Sequence, residues 1–210
     1  MSEEAKAQKV YLDGYAAFEQ GDFQRAEALA DQCITLASKS SYWYAGALGL
    51  KCWTANFTGN VRKMEQSAAV LLQLETGEDK PWFDGVALLN LGLAKRRGGY
   101  VDEAREFLVR AAERYKAQRL QAEQPMEWQY VLDYFETLSK WAANGNVDEW
   151  RKYLSAVERG VDEQSELLQQ LLAAARLMVR HGKGEEVKEE ARELVQDGVS
   201  RTFLAGILLE

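Results

Sequence analysis

Apolar residues in this chain recur at intervals of three and four, the spacing that places them on one face of an α-helix. Lys9–Gln20 shows it with Val10, Tyr11, Gly14, Tyr15 and Phe18, and a second stripe follows in Phe23, Ala26, Leu29, Ala30 and Cys33. The pattern predicts further helices over Trp43–Phe57, Val61–Leu74, Val86–Arg97 and Val101–Arg119. It continues over Trp128–Asn144, onward to Glu158, then Glu163–Arg180 and Glu185–Val195. A last apolar segment, Thr202–Leu209, reads as an eleventh helix. No run of alternating β-branched residues marks a strand. The only prolines, Pro81 and Pro125, fall in the connections Thr76–Trp82 and Gln118–Met126.

The breaks between helices share a phrase: GDFQRA at Gly21–Ala26, GNVRKM at Gly59–Met64, GYVDEA at Gly99–Ala104, GNVDEW at Gly145–Trp150 and GKGEEV at Gly182–Val187. Successive phrases are 38, 40, 46 and 37 residues apart. Self-similarity at such a period is the mark of a stacked repeat array. Glycine stops the first helix of each pair, because it enters the left-handed conformation cheaply. Asp22 is placed to cap the helix that follows. Small residues recur as well. Gly14 with Ala26, and Gly92 with Ala104, sit where two helical backbones must approach closely. Cys52 and Met64 take those places in the second pair, and Trp150 replaces the alanine in the fourth, which predicts wider packing there.

These features resemble the tetratricopeptide repeat (TPR) family, whose unit is a helix–turn–helix of about 34 residues with small residues at the crossing. The stretches that carry the resemblance best are ALLNLGLAKRRGGYVDEAREFLVRAA, Ala87–Ala112, and YLDGYAAFEQGDFQRAEALADQC, Tyr11–Cys33. The repeats here are longer than that unit, and most lack its closing proline. The resemblance implies an all-α, right-handed α-solenoid: one domain over residues 1–210, with units near 8–38, 41–75, 82–119, 127–159 and 162–196 and a capping helix over 200–209. In that family the first helices of successive hairpins line a concave groove that receives a peptide or helix. Carried over, the partner-binding candidates are Tyr11, Tyr15 and Phe18 from the first unit and Trp53 and Asn56 from the second. Later units add Asn90, Leu93, Arg96, Arg97, Phe135, Ser139, Arg176 and Arg180. Aromatic area with arginine suits an acidic segment bearing hydrophobic anchors. Each aromatic also reads as core between hairpins, and Lys95-Arg96-Arg97 as a solvated helix end. A carboxylate clamp would need Asn and Lys/Arg in adjacent hairpins; Asn90 with Arg96 or Arg97 supplies half, but Leu12 and Phe18 stand at the matching places of the first unit.

Composition narrows the class. Hydrophobic residues make up 47% and charged residues 28%, an ordinary soluble balance. The net charge of −7 disfavours nucleic acid. That charge is uneven: seven basic against nine acidic residues over 1–75, nine against seven over 76–120, and ten against seventeen over 121–210. No apolar run approaches a membrane span, and MSEEAKAQKV has no signal-peptide character. Cys33 and Cys52 lie in apolar stripes, as reduced core thiols of a cytoplasmic protein would.

Catalysis has little to stand on. His181 is the one histidine, in a glycine-rich turn without a second ligand at metal spacing. No glycine-rich phosphate loop follows a strand. Glu185, Glu186, Glu189, Glu190 and Glu193 form a solvated helix face. The expectation is therefore a cytoplasmic adaptor or scaffold, without enzyme activity, cofactor or metal, that binds a segment of another protein. The alternatives are a self-associating chaperone or scaffold, with a possible homodimer through the C-terminal helix, and a regulatory domain docking on an enzyme or transcription factor.

Overall fold

Glycine and a polar cap punctuate the chain where the sequence places them. In a computed structural model, which describes residues 2–121, 125–160 and 165–210, Gly21, Gly59, Gly99 and Gly145 have φ of 80°, 73°, 81° and 67°. At three of these turns the same pair of hydrogen bonds closes the helix. Gly21 N–H donates to Phe18 O and Asp22 N–H to Ala17 O; Gly59 and Asn60 repeat this with Asn56 O and Ala55 O, and Gly99 and Tyr100 with Arg96 O and Lys95 O. This is the Schellman ending, which needs a left-handed residue just past the helix. The Asp22 and Asn60 side chains then accept from Arg25 N–H and Lys63 N–H, each at 3.1 Å. Such a cap is worth about 1 kcal/mol.

The fifth turn falls within His181–Gly184, and its left-handed residue is the second glycine of the phrase. Gly184, with φ 83°, donates its N–H to His181 O and Glu185 N–H donates to Arg180 O, the Schellman pair, whereas the φ of Gly182 is −64°. Gly182 is needed for another reason: a Cβ there would lie 2.8 Å from Val147 Cγ2.

Among the described residues there are eleven α-helices and no strand. The first six are α1 (Glu3–Glu19), α2 (Phe23–Leu36), α3 (Tyr42–Phe57), α4 (Val61–Leu72), α5 (Lys80–Arg97) and α6 (Val101–Arg119). The rest are α7 (Met126–Asn144), α8 (Val147–Gly160), α9 (Glu166–His181), α10 (Lys188–Gln196) and α11 (Ala205–Leu208). The middle of the connection Gln118–Met126, and the proposed start of a helix at Glu163, lie outside the described residues. Pro81 lies inside the first turn of α5 rather than in a loop, a position that needs no N–H.

The chain divides into two compact units, residues 1–111 and 112–210, with the boundary inside α6. In the first unit α1 packs on α2 and α3, and α3 packs on α4 and α5. First helices of neighbouring pairs thus touch each other as well as their own partners. Gly92 makes the α5–α6 crossing close: a Cβ there would sit 2.5 Å from Leu108 Cγ and 3.3 Å from Ala104 O. Gly14 plays the same part opposite Leu29 and Ala26. Cys33 and Cys52 are buried and free.

In the second unit α7 packs on α8 and α9, and α9 on α10 and α11. Trp150 is fully buried against Tyr134, ring centroids 4.9 Å apart, so two large rings fill the place of a small-residue crossing. The apolar C-terminal segment forms turns and a four-residue helix, shorter than the predicted 200–209. Phe203, Leu204, Ala205 and Ile207 are buried, Tyr134 Oη donates to Phe203 O, and Gly206 lies close to Met178, Leu138 and Trp141. Its apolar side is covered by α7 and α9 of its own chain.

Candidate functional site

The candidates Tyr11, Tyr15, Phe18, Trp53, Asn56, Asn90, Leu93, Arg96 and Arg97 belong to the first unit. Phe135, Ser139, Arg176 and Arg180 belong to the second. Most of the proposed groove floor is core. In α3 every residue from Ala45 to Asn56 except Lys51 is buried, and in α5 every residue from Phe83 to Ala94. Trp53, Asn56, Asn90 and Leu93 all fall in these stretches. The physical reason is visible in the composition: these stretches carry few polar residues, with Asp84 and Asn90 in α5 and Lys51, Thr54 and Asn56 in α3, and a helical stretch without a polar face is buried all round.

Phe18 is also buried, with its ring edge-on to Phe57 at 5.4 Å. Tyr11 and Tyr15 are half-buried; the Tyr11 ring lies on Gly46 of α3 and 5.7 Å from Trp43. Burial raises the Tyr11 hydroxyl pKa above its ordinary value, so it stays protonated. Phe135 stacks on Tyr115 at 5.4 Å, and the buried Ser139 donates to Phe135 O at 2.8 Å within α7. Arg176 meets Glu158 at 3.3 Å. Arg180 bridges Glu185 and Glu190 at 2.8 and 2.7 Å. Arg176 and Arg180 are thus matched by carboxylates of their own unit.

What the structure does bring together is the turn edge of the first unit. Asn56 Nδ2 donates to Asn90 Oδ1 at 2.8 Å, and Arg97 Nη1 donates to Asn56 O at 2.9 Å. Ala55, Met64 and Ala94 form one apolar contact cluster beside them. The two turns after α3 and α5 therefore adjoin. Residues 56–63 and 95–101 contain Arg62, Lys63, Lys95, Arg96 and Arg97 and no carboxylate. Lys63 pairs with Glu27, and Lys95 with Glu65 and Glu103. Arg62, Arg96 and Arg97 are exposed. Among them stand exposed apolar side chains: Val61 at 40%, Tyr100 at 58% and Val101 at 68%. Lys95 Nζ lies 5.2 Å from the Tyr100 ring centre, a cation–π contact that helps hold the ring.

Sequence reasoning had Arg96 and Arg97 but missed Arg62, Val61, Tyr100 and Val101. The signal was present: in GNV and GYV an apolar residue opens the second helix directly after the turn, where the first turn of a helix faces water.

A second concavity, about 350 Å³, is lined by His181, Gly184, Glu185, Glu186, Lys188, Ile207 and Glu210. His181 Nε2 lies 2.8 Å from Glu210 Oε2 and its ring 5.5 Å from that of Trp141. Among the described residues no group of three or more His, Cys, Asp or Glu is placed to hold a metal ion, and no helix is long and apolar enough to cross a membrane. In comparisons with family models, curated proteins and solved structures, nothing matches this chain.

Proposed function

We propose that this chain is an adaptor that holds an acidic, hydrophobically anchored segment of another protein. On this reading the helix pairs are TPR-like hairpins of a right-handed α-solenoid, and the binding surface is the turn edge of the first unit. The observation that carries it is the adjoining pair of turns, where Arg62, Arg96 and Arg97 are exposed beside Val61, Tyr100 and Val101, while Lys63 and Lys95 hold Glu27, Glu65 and Glu103. In a chain of net charge −7 such a local concentration of positive charge selects acidic partners. Arginine adds bidentate bonds to carboxylates, and exposed aromatic and valine surface adds desolvated area. The contact from Arg97 to Asn56 O helps hold one guanidinium in place before a partner arrives. Buried free thiols suit a reducing, cytoplasmic setting.

The test uses two fluorescent peptides, one alternating glutamate with leucine and one alternating lysine with leucine. The glutamate peptide should bind and the lysine peptide should not, and binding should weaken with salt. Arg96→Glu/Arg97→Glu, checked for native circular dichroism, should lower affinity at least about tenfold, a change of about 1.4 kcal/mol. Equal binding of both peptides, or no effect of the double reversal, would reject this surface.

A further inference from the structure

The basic, apolar edge has a complement on the same chain. From Glu185 to Asp197 the second unit carries six carboxylates against Lys188 and Arg192. Glu185, Glu186, Glu189, Glu190, Glu193 and Asp197 are all exposed. Glu185 and Glu186 line the concavity with His181, Lys188 and Glu210, while Glu185 and Glu190 also hold Arg180, and Glu189 holds Arg192. The edge of the first unit offers the opposite sign. Tyr100 stands more than half exposed between the guanidinium-bearing end of α5 and Val101.

We infer that the turn edge of one copy docks on the acidic α10 end of a second copy, with the Tyr100 ring at the mouth of the concavity beside Glu185 and Glu186. The inference rests on the surface proposed above and names a second copy of the chain as its occupant. Charge complementarity selects the pair: the surface that Arg62, Arg96 and Arg97 would repel is another basic edge, and the one they attract is the acidic α10 end. The contact is heterologous, joining different surfaces of the two copies, so each added copy leaves one edge and one acidic end open. Assembly is therefore head to tail, dependent on concentration, and screened by salt.

Sedimentation velocity on the full chain tests it at about 20 mM and about 300 mM salt, where the screening length differs more than threefold. Wild type should exceed its monomer mass of 23.8 kDa at low salt and return to it at high salt. Arg96→Gln/Arg97→Gln neutralises the basic edge and keeps the acidic end; Glu186→Gln/Glu189→Gln does the reverse. Each alone should be monomeric, and an equal mixture should form a dimer and stop there, because only one complementary pair remains. Circular dichroism establishes that both variants are folded. A wild type that stays monomeric at low salt, variants that associate as wild type does, or a mixture that stays monomeric would each overturn the inference. The adaptor reading is judged separately: Glu186→Gln/Glu189→Gln keeps its basic edge and should bind the glutamate–leucine peptide at least as tightly as wild type, whose edge a second copy covers when the chains self-associate.

Discussion

Asn56 on α3 donates its side-chain N–H to Asn90 Oδ1 on α5 at 2.8 Å, and both residues are buried. Asn90 in turn donates to Val86 O, one turn back on its own helix. The pair ties the first helices of two neighbouring hairpins together at the end where Arg97 reaches Asn56 O. A buried amide left without its partner is costly, whereas two apolar replacements of similar size are nearly neutral. Asn90→Leu should therefore lower stability by about 1–3 kcal/mol, and Asn56→Leu/Asn90→Leu should recover most of that. Urea midpoints of the two single variants and the double variant decide it. A double variant as unstable as the sum of the singles would refute the coupling.

At Gly92 two effects oppose each other. Alanine raises helix propensity by about 1 kcal/mol over glycine. Its Cβ, however, would meet Leu108 Cγ at 2.5 Å, and that atom sits at the branch of the side chain rather than its flexible end. Overpacking costs about 1–3 kcal/mol, so Gly92→Ala should be destabilising on balance. Adding Leu108→Ala should make the glycine replacement better tolerated than in wild type, as read by thermal melting. An unchanged midpoint in Gly92→Ala would contradict this close crossing.

The fifth turn separates backbone strain from crowding. Gly184→Ala should cost about 1–2 kcal/mol because a side chain at φ 83° meets its own carbonyl. Gly182→Ala should also destabilise, but through Val147, and Val147→Ala should relieve it. No change at Val147 should rescue Gly184→Ala. Denaturant titration of the four variants distinguishes the two causes.

Phe203 is buried among Tyr134 and Phe135, at 5.2 and 6.0 Å between ring centres. Phe203→Ala should cost about 3–5 kcal/mol, the range for a large aromatic removed from a core. Its oligomeric state at high salt, measured by light scattering, should equal that of wild type, because this segment is spent on its own chain. A change in mass without loss of stability would return the C-terminal segment to the role of an interface.

Burial pushes the Cys33 and Cys52 thiols from 9.0 to about 11 and about 12, and raises the Tyr115, Tyr134 and Tyr153 hydroxyls above their ordinary value. The unfolded chain therefore loses these protons at lower pH than the folded one. Their contribution to stability is fully present below about pH 9 and is lost progressively as pH rises through the thiol values. Urea midpoints should fall between pH 9 and 11, and Cys33→Ala/Cys52→Ala should flatten the first part of that fall. A midpoint independent of pH over this range would show that the thiols are not shielded.

The sequence by itself determined the helices and their order. Ten of the eleven follow from three-and-four periodicity cut by glycine, and α6 has the ends the pattern gave it, Val101 and Arg119. This works because helix periodicity, glycine's left-handed freedom and an Asp or Asn cap are local properties, set within a few residues. Even the crossings at Gly14 and Gly92 were legible, since a missing side chain is visible wherever it must fit. The tertiary structure alone decided which faces remained in water. The pattern of Trp53, Asn56, Asn90 and Leu93 looked like a groove floor, but neighbouring first helices touch, and their facing side chains meet each other instead of solvent. Arg180 looked like a binding cation, yet Glu185 and Glu190 come to it from five and ten residues away across a turn. Arg97, Tyr100, Arg62 and Val61 lie on two turns 40 residues apart in the chain, joined only when α3, α4 and α5 pack. Exposure belongs to the folded surface as a whole, and no single helix can say which of its sides a neighbour will cover.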